Sequence, residues 1–396
     1  MTTYIIISLC VLTLMSYFFD LSAGKTKIPG VILLLVLGMG LRFVSGLLQI
    51  EIPNLHPALP ILGTLGLILI VLEGSLDLDL HKEKIPLIAR TFLSAVVLLM
   101  VSSFGIAWFF SYLFVLPFHT ALVNAIPLGI ISSSIAISSA YRLNANIKEF
   151  VVYESSFSDI AGILFFNFIT QNDNFGFSTM TGFVFQIVLI IVLAFISSGV
   201  LGALLQRITH HVKFIPMITL LVLLYLLAKK LHLPSLILVL IFGLFLNNIN
   251  LLDSVIRKNI RIKKFIHPGA VMDELPQFKR IVAEVTFIIR SFFFIMFGYY
   301  TDLKELIDMK TLVLSIVIVS FFFLARIIYF SATKLPFDPV VFIAPRGLIT
   351  ILLFLSFPQS FAVSEVNQGL LSQIIFISTF ILMFGLLRHT PEADKE

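Results

Sequence analysis

Apolar runs of membrane-spanning length recur from one end of this chain to the other, and they decide what it can fold into. They fall at roughly 4–20, 28–48, 59–76, 87–115, 120–140, 149–170, 180–205, 214–228, 234–249, 281–300, 310–332, 338–358 and 366–388. About 20 apolar residues in a helix cross the hydrocarbon core of a bilayer, and no water there satisfies an open backbone. The expectation is an all-α polytopic membrane protein of about thirteen transmembrane helices. Composition closes off the soluble reading: only 12% of residues are charged and 59% are hydrophobic, against about 25% charged in soluble domains. Breaks such as Ile52-Pro53 and Leu233-Pro234 fall between runs, where helices stop. Cys10 is the single cysteine, which excludes an intramolecular disulfide and a cysteine metal cluster. Met1-Thr2-Thr3-Tyr4 leads straight into the first run without a basic region, so that run reads as a first span, not a signal peptide. The chain shows no Asn-x-Ser/Thr sequon and no appended soluble domain, which points to a prokaryotic inner-membrane protein.

The basic pI near 9.2 does not signal nucleic acid, because the charge is sorted by loop. Alternate connections hold Lys25 and Lys27; Lys82, Lys84 and Arg90; Arg142 and Lys148; Arg207 and Lys213; Arg257, Lys258, Arg261, Lys263 and Lys264; Lys334; and Arg388. The opposite set holds chiefly Lys229, Lys230, Lys304 and Lys310. The positive-inside rule then puts the N-terminus outside and the C-terminus in the cytoplasm of a multi-pass protein of the cell (inner) membrane. Residues 250–278 read as a basic cytosolic linker, partly helical, between a first half at 1–249 with spans 1–9 and a second half at 279–396 with spans 10–13. Membrane lipids are implied partners, and anionic lipid at the linker is a second reading beside the topogenic one. His210 and His211 read as solvated loop residues.

A short internal repeat supports the two halves. Pro127-Leu128-Gly129-Ile130-Ile131-Ser132 in run 120–140 matches Pro345-Arg346-Gly347-Leu348-Ile349-Thr350 in run 338–358. Each sets Pro, Gly and a hydroxyl in mid-span, where a continuous helix is weakened. The runs lie an odd number of spans apart and so cross in opposite directions. Paired interrupted segments in an inverted repeat point to a transport site built from discontinuous helices.

Run 149–170 carries the chemistry. An acid inside a span costs roughly 2.5–3.5 kcal/mol on insertion scales and is a functional candidate by default. Ser155 and Asp159 lie one turn apart on one helix face, whereas Glu154 points about 140° away. Asp159 is therefore a candidate ion site, with a structural carboxylate as the plainer reading. Ser155 and Ser158 add hard oxygen donors suited to Na⁺, K⁺ or Li⁺. Glu73 stands near the end of its span beside Asp77 and Asp79, either as a cation-handling residue or as part of a solvated rim.

These features together resemble the monovalent cation–proton antiporter superfamily, in its bacterial and archaeal sodium/proton exchanger form. Gly66–Leu78, with Glu73, is similar to the third span of that family. Glu154-Ser155-Ser156-Phe157-Ser158-Asp159 is similar to its Glu-Ser-x-x-Asn-Asp helix, Ala325-Arg326 to the arginine of its eleventh span, and Pro345-Arg346-Gly347-Leu348 to its Arg-Gly segment. The resemblance covers essentially the whole chain, in order. It implies a homodimer of protomers with a scaffold and a mobile core, and two broken helices crossing at mid-membrane. It implies a transporter, not an enzyme, with no cofactor and no metal beyond the transported cation. Asp159 would alternately hold H⁺ and a monovalent cation, helped by Glu73, Ser155 and a backbone carbonyl near Ser133. Glu154 would form a structural pair with Arg326. Arg346 would compensate carbonyl-rich helix ends or form an ordinary structural pair.

Two departures stand out. The first broken helix reads Ser132-Ser133-Ser134 where many members have Thr-Asp, so Ser134 replaces an acid, and Ser158 precedes Asp159 where many members have Asn or Asp. One carboxylate per cycle favours electroneutral one-for-one exchange. The serine run keeps open a transporter of the same fold that carries an organic anion or other solute. An intramembrane aspartyl protease lacks its Gly-x-Gly-Asp, and a non-transporting sensor predicts no flux of any ion.

Overall fold

A computed structural model describes the chain except for residues 1, 27, 50–54, 141–142, 173–176, 208–211, 232, 253–267, 357 and 389–396. His210, His211, Arg142 and the basic residues Arg257 to Lys264 thus lie outside the described residues. The described chain is all-helical. It comprises α1 (Thr2–Thr26), α2 (Gly30–Leu47), α3 (Ala58–Asp77), α4 (Ile85–Phe114), α5 (Phe118–Gly129), α6 (Ser133–Ser139), α7 (Ala145–Gln171), α8 (Phe177–Arg207), α9 (Phe214–Lys230) and α10 (Leu236–Asn247). After the undescribed stretch come α11 (Pro268–Tyr300), α12 (Leu303–Ile307), α13 (Met309–Thr333), α14 (Leu348–Ser356) and α15 (Gln368–Arg388). Eight spans among the described residues are long and apolar enough to cross a membrane, α5 and α6 together counting as one. Residues 268–278, at the end of the stretch read as a linker, are already the first turns of α11.

The helices group into two compact units, each assembled from discontinuous segments, so units and chain halves are different partitions. The first unit is Met1–Thr64, Ala89–Phe166 and Ile288–Glu396. In it, α2 and α11 cross backbone to backbone. A Cβ on Gly38 would collide with the carbonyl of Ile295, and one on Gly298 with that of Leu35. Small residues at such a crossing let membrane helices associate through van der Waals contact, since lipid supplies no hydrophobic drive between them. Arg42 closes the end of α11, donating from Nη1 to the carbonyls of Tyr300 (3.3 Å) and Thr301 (2.9 Å), a cation answering unpaired C-terminal carbonyls. Gln373 on α15 similarly donates to the Leu306 carbonyl at the end of α12, at 2.8 Å.

The second unit is Leu65–Ile88 and Asn167–Phe287. Here α8 packs on α10, and Gly243 of α10 sits directly against Ser75 of α3. Asn248 holds the chain after α3, donating to the Leu78 carbonyl at 2.9 Å and accepting from the Leu80 N–H at 2.7 Å. The Phe278 ring lies 5.9 Å from that of Phe214 and 6.3 Å from that of Phe242, giving this unit an aromatic core.

Candidate functional site in the first unit

Two interruptions lie in the first unit and meet there. Pro127 within α5 and Gly129 at its end weaken the helix, and Ile130 turns extended (φ −80°, ψ 131°) before α6 begins at Ser133. On the other side, a single helical turn at Val340–Phe342 gives way to a non-helical stretch that lasts until Leu348. Pro345 biases Ala344 away from helix there. The Ser132 N–H donates to the Pro345 carbonyl at 2.8 Å, so the two breaks hydrogen-bond to each other. Gly347 makes the approach possible: a Cβ there would stand 2.5 Å from the Ser132 hydroxyl oxygen and 3.0 Å from Ile135.

Asp159 of α7 faces the first break. It is 3% exposed, and its carboxylate accepts from both the hydroxyl and the backbone N–H of Ser133. Its Oδ1 has no hydrogen-bond partner among the described residues. Burying a bare carboxylate is expensive unless a proton, a cation or a full set of donors compensates it. Two donors from one residue and a vacant oxygen leave that demand partly unmet.

The neighbouring hydroxyls have separate engagements. Ser158 Oγ accepts from the Ile131 N–H at 2.9 Å, satisfying a backbone donor freed by the break. Ser155 donates back along its own helix to the Val151 carbonyl at 2.7 Å, which leaves its oxygen lone pairs available. Ser134 and Ser132 bond each other, Oγ to Oγ, at 2.9 Å. Glu73 belongs to the second unit, where it is half-buried. The nearby acids of that unit are tied to cations, Asp77 to Lys279 at 3.7 Å and Asp79 to Lys84 at 3.4 Å.

Glu154 is held in a different manner. Arg326 of α13 grips it with two parallel bonds, Nη1 to Oε1 at 2.9 Å and Nη2 to Oε2 at 2.6 Å, with both side chains 2% exposed. Arg326 also donates to the carbonyls of Val341 (3.1 Å) and Val340 (3.0 Å), and its guanidinium lies 4.6 Å from the Phe330 ring centroid. Bidentate charge-assisted bonds of this geometry are the strong ones. This arginine therefore binds α7, α13 and the approach to the second break into one body. Arg346 sits within that break, 3% exposed, donating to the Ala344 carbonyl at 3.2 Å and stacking at 4.2 Å on Phe322.

Sequence reasoning missed two supporting hydroxyls. Ser94 of α4 donates to Glu154 Oε1 at 2.5 Å, and Ser378 of α15 accepts from the Arg346 N–H at 3.1 Å. A signal for the first existed, since Thr91, Ser94 and Ser102 lie at helical spacing on one face of a mostly apolar span.

A buried acid against one of two hydrogen-bonded helix breaks, among apolar spans, is the arrangement expected of a multi-pass membrane transporter. The family described as sodium/hydrogen exchanger, transmembrane, matches residues 9–388, and the chain belongs to it. It is a transporter whose substrates are a cation and the proton. Among solved structures, that of the sodium proton antiporter MjNhaP1 from Methanocaldococcus jannaschii at pH 8 superimposes with a TM-score of 0.63 at 20% identity, covering 98% of this chain and 96% of that one. An electron-microscopy map of the same antiporter gives a TM-score of 0.62 at 19% identity, covering 97% and 95%. At such identity the likeness speaks for the fold. No curated protein matches the chain.

Proposed function

We propose that the protein exchanges a monovalent cation, with Na⁺ first and K⁺ or Li⁺ as the other candidates, for H⁺ one-for-one, by competition at Asp159. The observation that carries this reading is the unpartnered Oδ1 of a buried carboxylate whose hydrogen bonds, among the described residues, come from Ser133. A proton or a cation would complete its shell, and the two exclude each other because the site offers one negative charge. Glu154 is already neutralised by Arg326, so a cycle carries one charge each way and is electroneutral. Ser155 and Ser158 have oxygen lone pairs within a turn of Asp159. Together with the Ser133 and Ser134 hydroxyls they would supply hard ligands once the break rearranges. Glu73 would handle the cation from its own unit.

In this reading the two breaks belong to inverted repeats that rock against a dimeric scaffold. The N-terminus lies outside and the C-terminus in the cytoplasm of the cell membrane. The organic-anion reading would look to Arg346 for its binding cation. The chamber beside that guanidinium has room for about one water, which is too small for a carboxylate substrate.

The test uses purified protein in liposomes with an imposed pH gradient. Na⁺, K⁺ or Li⁺ should drive proton movement without generating a membrane potential, and Asp159→Asn should abolish it while the variant keeps its helical circular dichroism and its oligomeric state. Flux that persists in Asp159→Asn removes this residue from the exchange.

A further inference from the structure

A small chamber lies between α4 and the two breaks, lined by Leu98 and Ser102 on α4, Ile131 and Ser158 beside the first break, and Arg326 and Arg346 on the other side. Its volume, about 10 Å³, is the space of one water-sized sphere. The walls hold an unmet demand. The Arg346 side chain is buried and its Nε–H has no acceptor among the described residues. Arg346 forms no ion pair among them either. Its engagements are one backbone carbonyl, one aromatic face and, through its own N–H, Ser378. Ser158 takes a hydrogen bond from Ile131 on its oxygen and has no acceptor among the described residues for its own hydroxyl proton. A buried donor left unpaired bears its full desolvation penalty, and a space of this size takes a water where two or more polar partners converge on it.

We infer that this chamber is a hydration site, holding one ordered water that accepts from Arg346 Nε and bonds to the Ser158 hydroxyl. Through it the guanidinium of the second break acts on Ser158, which in turn fixes the Ile131 N–H of the first break and adjoins Asp159 in the chain. Arg346 is thus a positioning residue that reaches the exchange site by way of a water, and Ser102 contributes a polar wall. An apolar void would leave both donors unsatisfied, and a halide is wider than the space available.

The presence of the water does not depend on the competition proposed at Asp159, whereas its effect on turnover does. The experiment is a structure at a resolution that shows ordered water, solved for the native protein and for Ser102→Val and Ser102→Ala, with a bromide-soaked native data set. A peak within hydrogen-bond distance of Arg346 Nε and Ser158 Oγ is expected in the native protein and in Ser102→Ala. It should vanish in Ser102→Val, whose branched side chain fills the space. In liposomes Ser102→Val should lose about tenfold in kcat with KM for the cation within about twofold, while Ser102→Ala stays within about twofold of native. An empty chamber in the native structure, a bromide anomalous peak there, or equal loss of turnover in both variants would overturn the inference. The native map and Ser102→Ala decide the matter even if Ser102→Val does not fold.

Discussion

Glu154 and Asp159 sit five positions apart on one helix, both buried, and the molecule treats them in opposite ways. Around Glu154 every demand is met. Arg326 supplies two charge-assisted bonds and Ser94 a third, while the arginine also donates to the carbonyls of residues 340 and 341. Around Asp159 one serine supplies both donors, and an oxygen is left over. The difference is one of exchangeability. A carboxylate with a full bidentate partner is a rivet, because releasing it would strand two charges in a dry interior. A carboxylate with an incomplete shell can accept a small cation or a proton and give it up again. The rivet joins α7, the helix that carries Asp159, to the segment leading into the second break.

The comparison breaks most visibly if the two acids are neutralised in turn. Asp159→Asn keeps shape and loses the titratable charge, so exchange should fall to the background of empty liposomes with thermal stability close to native. Glu154→Ala should do the reverse in kind, costing about 3–5 kcal/mol because Arg326 is left buried without a counter-charge. The measurement is detergent-solubilised thermal or chemical denaturation beside flux. Replacing both partners, Glu154→Gln with Arg326→Met, should recover much of that stability, since the stranded charge is gone. If the double variant is no more stable than Glu154→Ala, the pair is not the rivet described.

The competition proposed at Asp159 has a signature of its own. A proton and a cation that share one carboxylate make the apparent KM for the cation rise as pH falls, by up to about tenfold per pH unit once the proton dominates. The maximal rate at saturating cation should change far less. Independent sites for the two ions would leave KM flat across the same range, and initial-rate curves for Na⁺, K⁺ and Li⁺ at four or five pH values distinguish the cases.

Much of this architecture was legible because membrane insertion imposes local rules. Two acids, Glu154 and Asp159, in a 17-residue stretch from Phe150 to Phe166 that is otherwise free of charge and paired Pro/Gly interruptions are costly features, and cost marks them out. What stayed hidden is what depends on packing. Nothing local to Ser133 says that its N–H and hydroxyl turn to Asp159, and nothing local to Ser94 says that it meets Glu154 sixty residues on. Hydropathy also started one span near residue 281, whereas α11 begins at Pro268. Its early turns carry Asp273, Glu274 and Lys279, so an apolar window passes over them although they are helical. There Glu274 pairs with Lys213 at 2.6 Å.

The gentlest test of the contrast is Ser94→Ala. This change leaves the Glu154–Arg326 bonds in place and removes the third donor to the carboxylate. A hydrogen bond to a charged group contributes about 1.5–3 kcal/mol, and the methyl leaves no polar atom to be stranded. The loss of stability should therefore fall well short of that in Glu154→Ala. Turnover should follow stability alone, with kcat and KM near native at a temperature where the protein is folded, because in the proposed exchange the paired acid does not handle the ion. A fall in kcat larger than tenfold with the fold intact would mean that Glu154 is not a passive rivet. It would then have to release its partner during the cycle, and the distinction between the two acids would be one of timing instead of role.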